Sequence, residues 1–84
     1  MLKRFWFEFE PFGHPTALNI GCGVTARDYD DAVNILREHV FTGQPFPKVL
    51  RVLPDVDVRG LDKDHVIPNM GVVTQRGVWF PLGF

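Results

Sequence analysis

One segment, residues 28–40, has the spacing of an amphipathic helix, and this single helix limits the fold more than any other feature of the chain. Its apolar side chains recur every three or four positions, at Tyr29, Ala32, Val33, Leu36 and Val40. Asp28 predicts the helix N-cap, and Thr42-Gly43 before two prolines predicts the end of the helix. Because one helix covers only one face of a sheet, the opposite face must meet water or a partner.

The segments around this helix alternate apolar and polar side chains with the period of two that is typical of half-buried strands. The predicted strands are residues 3–10, 17–25, 48–58 and 78–84, the last ending at Phe84. Pro54 indicates an edge strand or a bulge in the third strand. Residues 60–71 are a long connection with a short helical turn predicted at 61–65. We therefore expect an α+β fold in the order β-β-α-β-β, with the helix on one face of a four-stranded, mainly antiparallel sheet.

The alternation also predicts which side chains of the sheet face the helix. This core face comprises Phe5, Phe7, Phe9, Leu18, Ile20, Leu50, Val52, Val78 and Phe80. The chain of 84 residues is too short to enclose a second core, so residues 1–84 are expected to form one domain.

The number of cysteines and the net charge indicate in which cellular compartment the protein works and which classes of partner it does not bind. Cys22 is the single cysteine and has no partner for an internal disulfide. No segment approaches the roughly 20 apolar residues of a membrane span, and acidic residues follow the N-terminus too closely for a signal peptide. A net charge of −1 argues against binding to a nucleic-acid backbone. We expect a cytoplasmic protein that binds neither membrane nor nucleic acid.

The second face of the predicted sheet combines tryptophan and charged side chains with two bare positions, Gly21 and Gly23. Tryptophan and arginine are enriched at binding hot spots because they combine a large contact area with polar groups. The predicted partner-binding residues on or beside this face are Arg4, Trp6, Arg51, Asp55, Asp57 and Trp79. The alternative is structural, with Trp6 lying over Gly21 or Gly23 and covering exposed backbone.

Residues with reactive side chains do not form a recognisable catalytic set. Cys22 lies between two glycines, and His14, His39 or His65 is a candidate base for it, but Cys22 shares the parity of the core face. Residues 55–66 fail as a calcium loop, since Arg59 falls at a ligand position. No glycine cluster matches a phosphate-binding motif. We expect no catalytic residue, no metal and no cofactor.

The apolar side chains of the long connection form a separate signal. Val66, Ile67 and Met70 lie in what should be a surface loop. Either this loop packs as a lid over one end of the sheet, or it presents Ile67 and Met70 to a partner.

A helix-capped sheet of this size, with an aromatic first strand, a helix start DYDDA and a closing RGVWFP strand, resembles the small orphan proteins of bacteria. Many of these are immunity proteins that neutralise a cognate toxin. The resemblance implies a non-catalytic protein-binding module whose partner is another protein. One alternative is a small-ligand-binding protein or minor enzyme that uses the Cys22/His65 region. The other is a self-associating subunit, a homodimer joined through edge strands or tryptophan faces.

Overall fold

A computed structural model describes residues 1–82 and contains one α-helix and four strands within them. The strands are β1 (Lys3–Phe9), β2 (Cys22–Ala26), β3 (Val49–Leu53) and β4 (Gly77–Phe80), and the helix is α1 (Tyr29–His39). The sheet has the order β3-β1-β2-β4, and every neighbouring pair is antiparallel. The predicted α+β fold and β-β-α-β-β chain order are confirmed. Strand β4 ends at Phe80, so the predicted last strand is wrong at Pro81 and Leu82, and its extension over residues 83–84 lies outside the described residues.

Strand β1 forms the centre of the fold because it pairs with β2 on one side and with β3 on the other. Phe5, Phe7 and Phe9 project toward α1, where they pack with Ile35 and Leu36. We call this group the helix-side cluster. Its buried members are Phe5, Phe7, Phe9, Cys22, Val24, Ala26, Ala32, Ile35, Leu36, Val40 and Phe41. Aromatic side chains bury a large area each, so a chain this short can build a core largely from phenylalanine.

The helix begins where Asp28 predicts it. The Asp28 side chain accepts the Asp31 N–H over 2.8 Å, and the Asp31 carboxylate accepts the Arg27 N–H over 3.0 Å. Arg76, just before β4, donates two hydrogen bonds to the same carboxylate, one of them from Nε over 3.0 Å. These contacts hold the pKa of Asp31 well below its usual range, with the Arg76 hydrogen bond as the largest cause. Asp31 therefore ties the start of the helix to the edge strand β4.

We expect Asp31→Asn to lower the stability of the fold by about 1 kcal/mol at neutral pH, since it removes the carboxylate that accepts the Arg27 N–H and pairs with Arg76. A carboxyl group whose pKa is depressed by folding contributes its stability above its unfolded pKa of about 4 and loses it as the pH falls. The difference in thermal midpoint between variant and wild type should therefore narrow as the pH is lowered from about 4 toward 2. Asp30→Asn, exposed in the same helical turn, is the matched control. An equal effect of both substitutions at every pH would contradict the role of Asp31.

Two of the predicted strands are shorter than expected because the backbone turns away from the sheet. Residues 17–19 form a 3₁₀ turn, and Gly21 has a φ of +148°, so β2 begins only at Cys22. Strand β3 ends at Leu53, since Pro54 and Asp55, with a φ of +53°, leave the sheet. Pro54 thus follows an edge strand, as predicted.

The predicted core face is wrong at three positions. Ile20 is 39% exposed because it precedes β2, and Leu50 is 58% exposed beside an irregularity in the pairing of β1 with β3. Phe80 packs on the side of the sheet opposite α1, because the pairing of β2 with β4 shifts between Gly23 and Val24. The shift places Trp79 and Phe80 in the same cluster although they are adjacent in sequence.

A long segment without strands, residues 54–73, crosses the face of the sheet opposite α1, and we call it the strap. It contains two short 3₁₀ turns, Val58–Gly60 and Ile67–Asn69. The helical turn predicted at 61–65 is present as a turn in which the Val66 N–H donates to the Asp62 carbonyl. Val66 is buried against the sheet and Met70 is half-buried, so the strap packs down as in the first of the two alternatives, although Ile67 is exposed.

Candidate functional site

The face predicted to be open is covered by the strap. Trp6 is 4% exposed and Trp79 is 0% exposed, so the prediction that both indoles lie at the surface is wrong. Their rings stack with centroids 6.0 Å apart, and Phe80 and Val66 complete the group, which we call the strap-side cluster. The physical reason is the apolar content of the strap. Half-buried side chains pack on the indoles from Val56, Val58, Leu61, Met70 and Val73.

The two glycines of the second face make room for these indoles. A Cβ added at Gly21 would lie 2.6 Å from Cζ2 of Trp6 and 2.6 Å from the Phe7 carbonyl oxygen. A Cβ added at Gly23 would overlap three carbons of the Trp79 ring. The alternative interpretation, in which Trp6 lies over a glycine and covers its backbone, is therefore confirmed at Gly21. Trp79 lies over Gly23 in the same way.

A groove of about 450 Å³ opens between the sheet and the strap at the edge of Trp6, and we call it the Trp6 groove. We call its apolar lining the floor: Trp6, Ile20, Leu53, Val56, Leu61 and Val66. We call its charged lining the rim: Glu8, Arg51, Asp57 and Asp62. The Glu8 carboxylate accepts hydrogen bonds from Nε1 of Trp6 and from Arg51, each over 3.1 Å.

A second cavity of about 450 Å³ adjoins the groove and shares Val56 and Asp57 with it. Arg4 and Asp55 line this second cavity. Arg59 donates from Nε and Nη2 to the Asp57 carboxylate, and this pairing lowers the pKa of Asp57. The positive charge of Arg4 lowers that pKa further.

The structure thus brings most of the predicted partner-binding residues to one corner of the molecule. Arg51, Asp55 and Asp57 are exposed there, and Arg4 is half-buried. Trp6 lines the groove although it is almost fully buried, and Trp79 is fully buried and does not line it.

Several residues of the groove were not predicted as site residues, because they lie on parts of the chain whose path depends on tertiary packing. Leu61 and Val66 belong to the strap, and Ile20 was assigned to the core. The apolar side chains in the long connection were the one signal that pointed to this part of the site.

Cys22 and His65 lie on opposite sides of the sheet. Cys22 belongs to the helix-side cluster, where burial raises the pKa of its thiol to about 12. His65 is exposed on the strap, with Nδ1 3.2 Å from the Asp62 carboxylate, beside a cavity of about 330 Å³ that Ile20 and Asn69 also line. The structure therefore does not bring the two residues together, and a protonated, buried thiol is a poor nucleophile.

The comparisons with protein-family models, with curated proteins and with solved structures find no match for this chain. Within residues 1–82, no helix is long and apolar enough to cross a bilayer. In the same part of the chain, no three His, Cys, Asp or Glu side chains converge as a group that could hold a metal ion.

Proposed function

We propose that this protein is a non-catalytic protein-binding module and that the Trp6 groove is its contact site. The observation that carries the proposal is the combination of an apolar floor with a charged rim in one groove of about 450 Å³. Sites that recognise a partner commonly pair an apolar centre, which supplies affinity, with polar groups at the edge that fix orientation.

The chemistry of the groove defines what a partner would place in it. An apolar side chain of the partner would fill the space over Trp6, Leu53 and Leu61. Polar groups of the partner would meet Arg51 and Asp57 at the rim, in competition with the intramolecular partners Glu8 and Arg59. The resemblance to immunity proteins makes a toxin the class of partner that we propose first. A buried free thiol suits a protein that works in the reducing cytoplasm.

Self-association through β3 is less well supported, although Leu50 is exposed at this edge of the sheet. The strand has five residues, carries Arg51 and a pairing irregularity, and lies between Pro47-Lys48 and Pro54. Short length, charge, bulges and prolines are the features by which edge strands avoid pairing with other chains. These features of β3 argue against pairing with a second copy of the chain, so we favour binding to a different protein.

Blocking the groove at a glycine tests the proposal without removing any native contact. Gly60 lines the groove, its φ is not in the left-handed region, and no heavy atom of the described residues lies within 4 Å of an added Cβ. We expect Gly60→Tyr to fold and to weaken partner binding at least about tenfold, because the ring occludes the groove. The measurement is a quantitative pull-down of the tagged protein from its native cells.

Gly13→Tyr is the matched control, since Gly13 has the same open surroundings but does not line the groove. The groove is supported as the contact site if the wild type and Gly13→Tyr capture the same protein in equal amounts and Gly60→Tyr does not capture it. Equal capture by all three would contradict it, provided that circular dichroism shows all three to be folded.

A further inference from the structure

The central part of the strap, residues 57–70, makes its hydrogen bonds within itself. Its backbone bonds join Gly60 to Asp57, Leu61 to Val58, Val66 and Ile67 to Asp62, Asn69 to Val66, and Met70 to Ile67. Its side-chain bonds are equally local, from Asp57 to Arg59, from Asp62 to residues 64 and 65, and from Asn69 to the His65 carbonyl. Among the described residues, no hydrogen bond joins residues 57–70 to the sheet. This segment can therefore move without breaking a hydrogen bond.

The strap is fixed to the sheet at its two ends. The Val56 N–H donates to the Arg4 carbonyl over 2.7 Å, and the Gly71 N–H donates to the Trp79 carbonyl over 2.7 Å. The hydroxyl of the buried Thr25 donates to the Val73 carbonyl over 2.6 Å. These bonds lie immediately outside residues 57–70, where hinges of a moving segment would be.

Apart from the attraction between Asp57 and Arg4 of β1 at one end, residues 57–70 are held to the sheet by apolar contacts, and these are incomplete. Val66 is its one fully buried side chain, while Val58, Leu61 and Met70 are half-buried. The Trp6 groove borders one side of residues 61–66, and the cavity of about 330 Å³ beside His65 borders residues 64–69. Both cavities reach Ile20, so the middle of the strap has open space on two sides.

The surface beneath the strap contains an unsatisfied polar group. Nε1 of Trp79 is buried and has no hydrogen-bond acceptor among residues 1–82, whereas Nε1 of Trp6 donates to Glu8. A buried N–H without an acceptor is unfavourable, and exposing it to water removes that penalty. The closed position of the strap is therefore less favourable than its apolar contacts alone would make it.

We propose that residues 57–70 lift from the sheet as one unit, hinged near Val56 and Gly71, and that the open form exposes the indoles of Trp6 and Trp79. The strap then controls access to the aromatic face of the sheet. This proposal does not depend on whether the Trp6 groove binds a protein. Local openings of this kind occur below the free energy of global unfolding and involve regions with few buried apolar contacts.

Hydrogen exchange of the Trp79 indole proton tests the motion directly in the intact protein. The chain has two tryptophans, so two indole N–H signals are expected by NMR, and Trp79→Phe assigns them. We expect the opening constant for the Trp79 proton to exceed that of the most protected β1 amides at least about tenfold. Its exchange should also depend less steeply on denaturant than that of the β1 amides, because lifting the strap exposes less surface than global unfolding does. Equal opening constants and equal denaturant dependence would overturn the proposal.

Two matched variants separate strap opening from global unfolding. Val66→Ala removes contacts that exist only when the strap is closed, so it should raise exchange of both the Trp79 indole and the β1 amides about tenfold. Ile35→Val weakens the helix-side cluster, so it should raise exchange of the β1 amides several-fold and leave the indole proton unchanged. An increase in indole exchange in Ile35→Val that matches the increase at the β1 amides would overturn the proposal.

Discussion

Gly23→Ala is expected to destabilise the fold by about 3 kcal/mol, although it adds a single methyl group. The added Cβ would overlap the six-membered ring of Trp79, which is fully buried. The indole has little room to move away, since it stacks on Trp6 and lies under the strap. Small domains have only about 5–15 kcal/mol of stability, so this loss should be visible as a large shift in the midpoint of chemical denaturation.

Gly13→Ala is the control for the intrinsic effect of the same substitution. No heavy atom of the described chain lies within 4 Å of its added Cβ, so we expect a change within about 0.5 kcal/mol. A double-mutant cycle with Trp79→Leu identifies the cause, because a side chain without the ring should accept the methyl group at much lower cost. If Gly23→Ala is as stable as Gly13→Ala, the packing of Trp79 over Gly23 is wrong.

Trp79→Ala is the second large effect, with an expected loss of about 3–5 kcal/mol. The substitution leaves a cavity between the strap and β2 and removes the partner that stacks on Trp6. A loss of partner binding in this variant would therefore report unfolding. The measurement is the free energy of unfolding from denaturant titration, followed by circular dichroism so that helix content is measured as well.

Trp79→Phe is the matched variant, because it keeps an aromatic ring and removes the N–H that has no acceptor among residues 1–82. We expect it to lose less than half as much stability as Trp79→Ala, since the smaller cavity is partly offset by the removal of an unsatisfied donor. Near-wild-type stability of Trp79→Ala would show that this side chain is exposed, contrary to the structure.

The helix and the central strand were predictable because local sequence determines them. Asp28 can cap only the helix that follows it, and the alternation of Phe5, Phe7 and Phe9 requires a strand with one buried face. The ends of the other strands were less predictable. Gly21 and Asp55 adopt positive φ angles that end regular pairing, and no local pattern distinguishes these positions from their neighbours.

The cover on the second face was the main feature that sequence did not predict. A single helix was correctly predicted, and it can cover only one face of the sheet, so the opposite face was expected to be open. The strap covers that opposite face although it contains no strand and no α-helix. Val66 and Met70 indicated a lid, while the shift in pairing that places Phe80 with Trp79 depends on contacts distant in sequence. The exposure of Arg51 was predictable because it lies on a strand whose side chains alternate between two faces, whereas Asp55 and Asp57 lie beyond the end of that strand. Their gathering around a groove depends on where the strap runs.

The sheet separates the optical probes of this protein. Both tryptophans lie in the strap-side cluster, whereas the α-helix packs on the other face. Tryptophan fluorescence, excited selectively so that Tyr29 does not contribute, therefore reports on one layer, and the helical signal in far-ultraviolet circular dichroism reports on the other. Coincident transitions by the two probes would mean that the two layers unfold as one cooperative unit, and an earlier fluorescence transition would mean that the aromatic layer loosens first. The native chain can thus show, without labels, whether its halves are thermodynamically coupled.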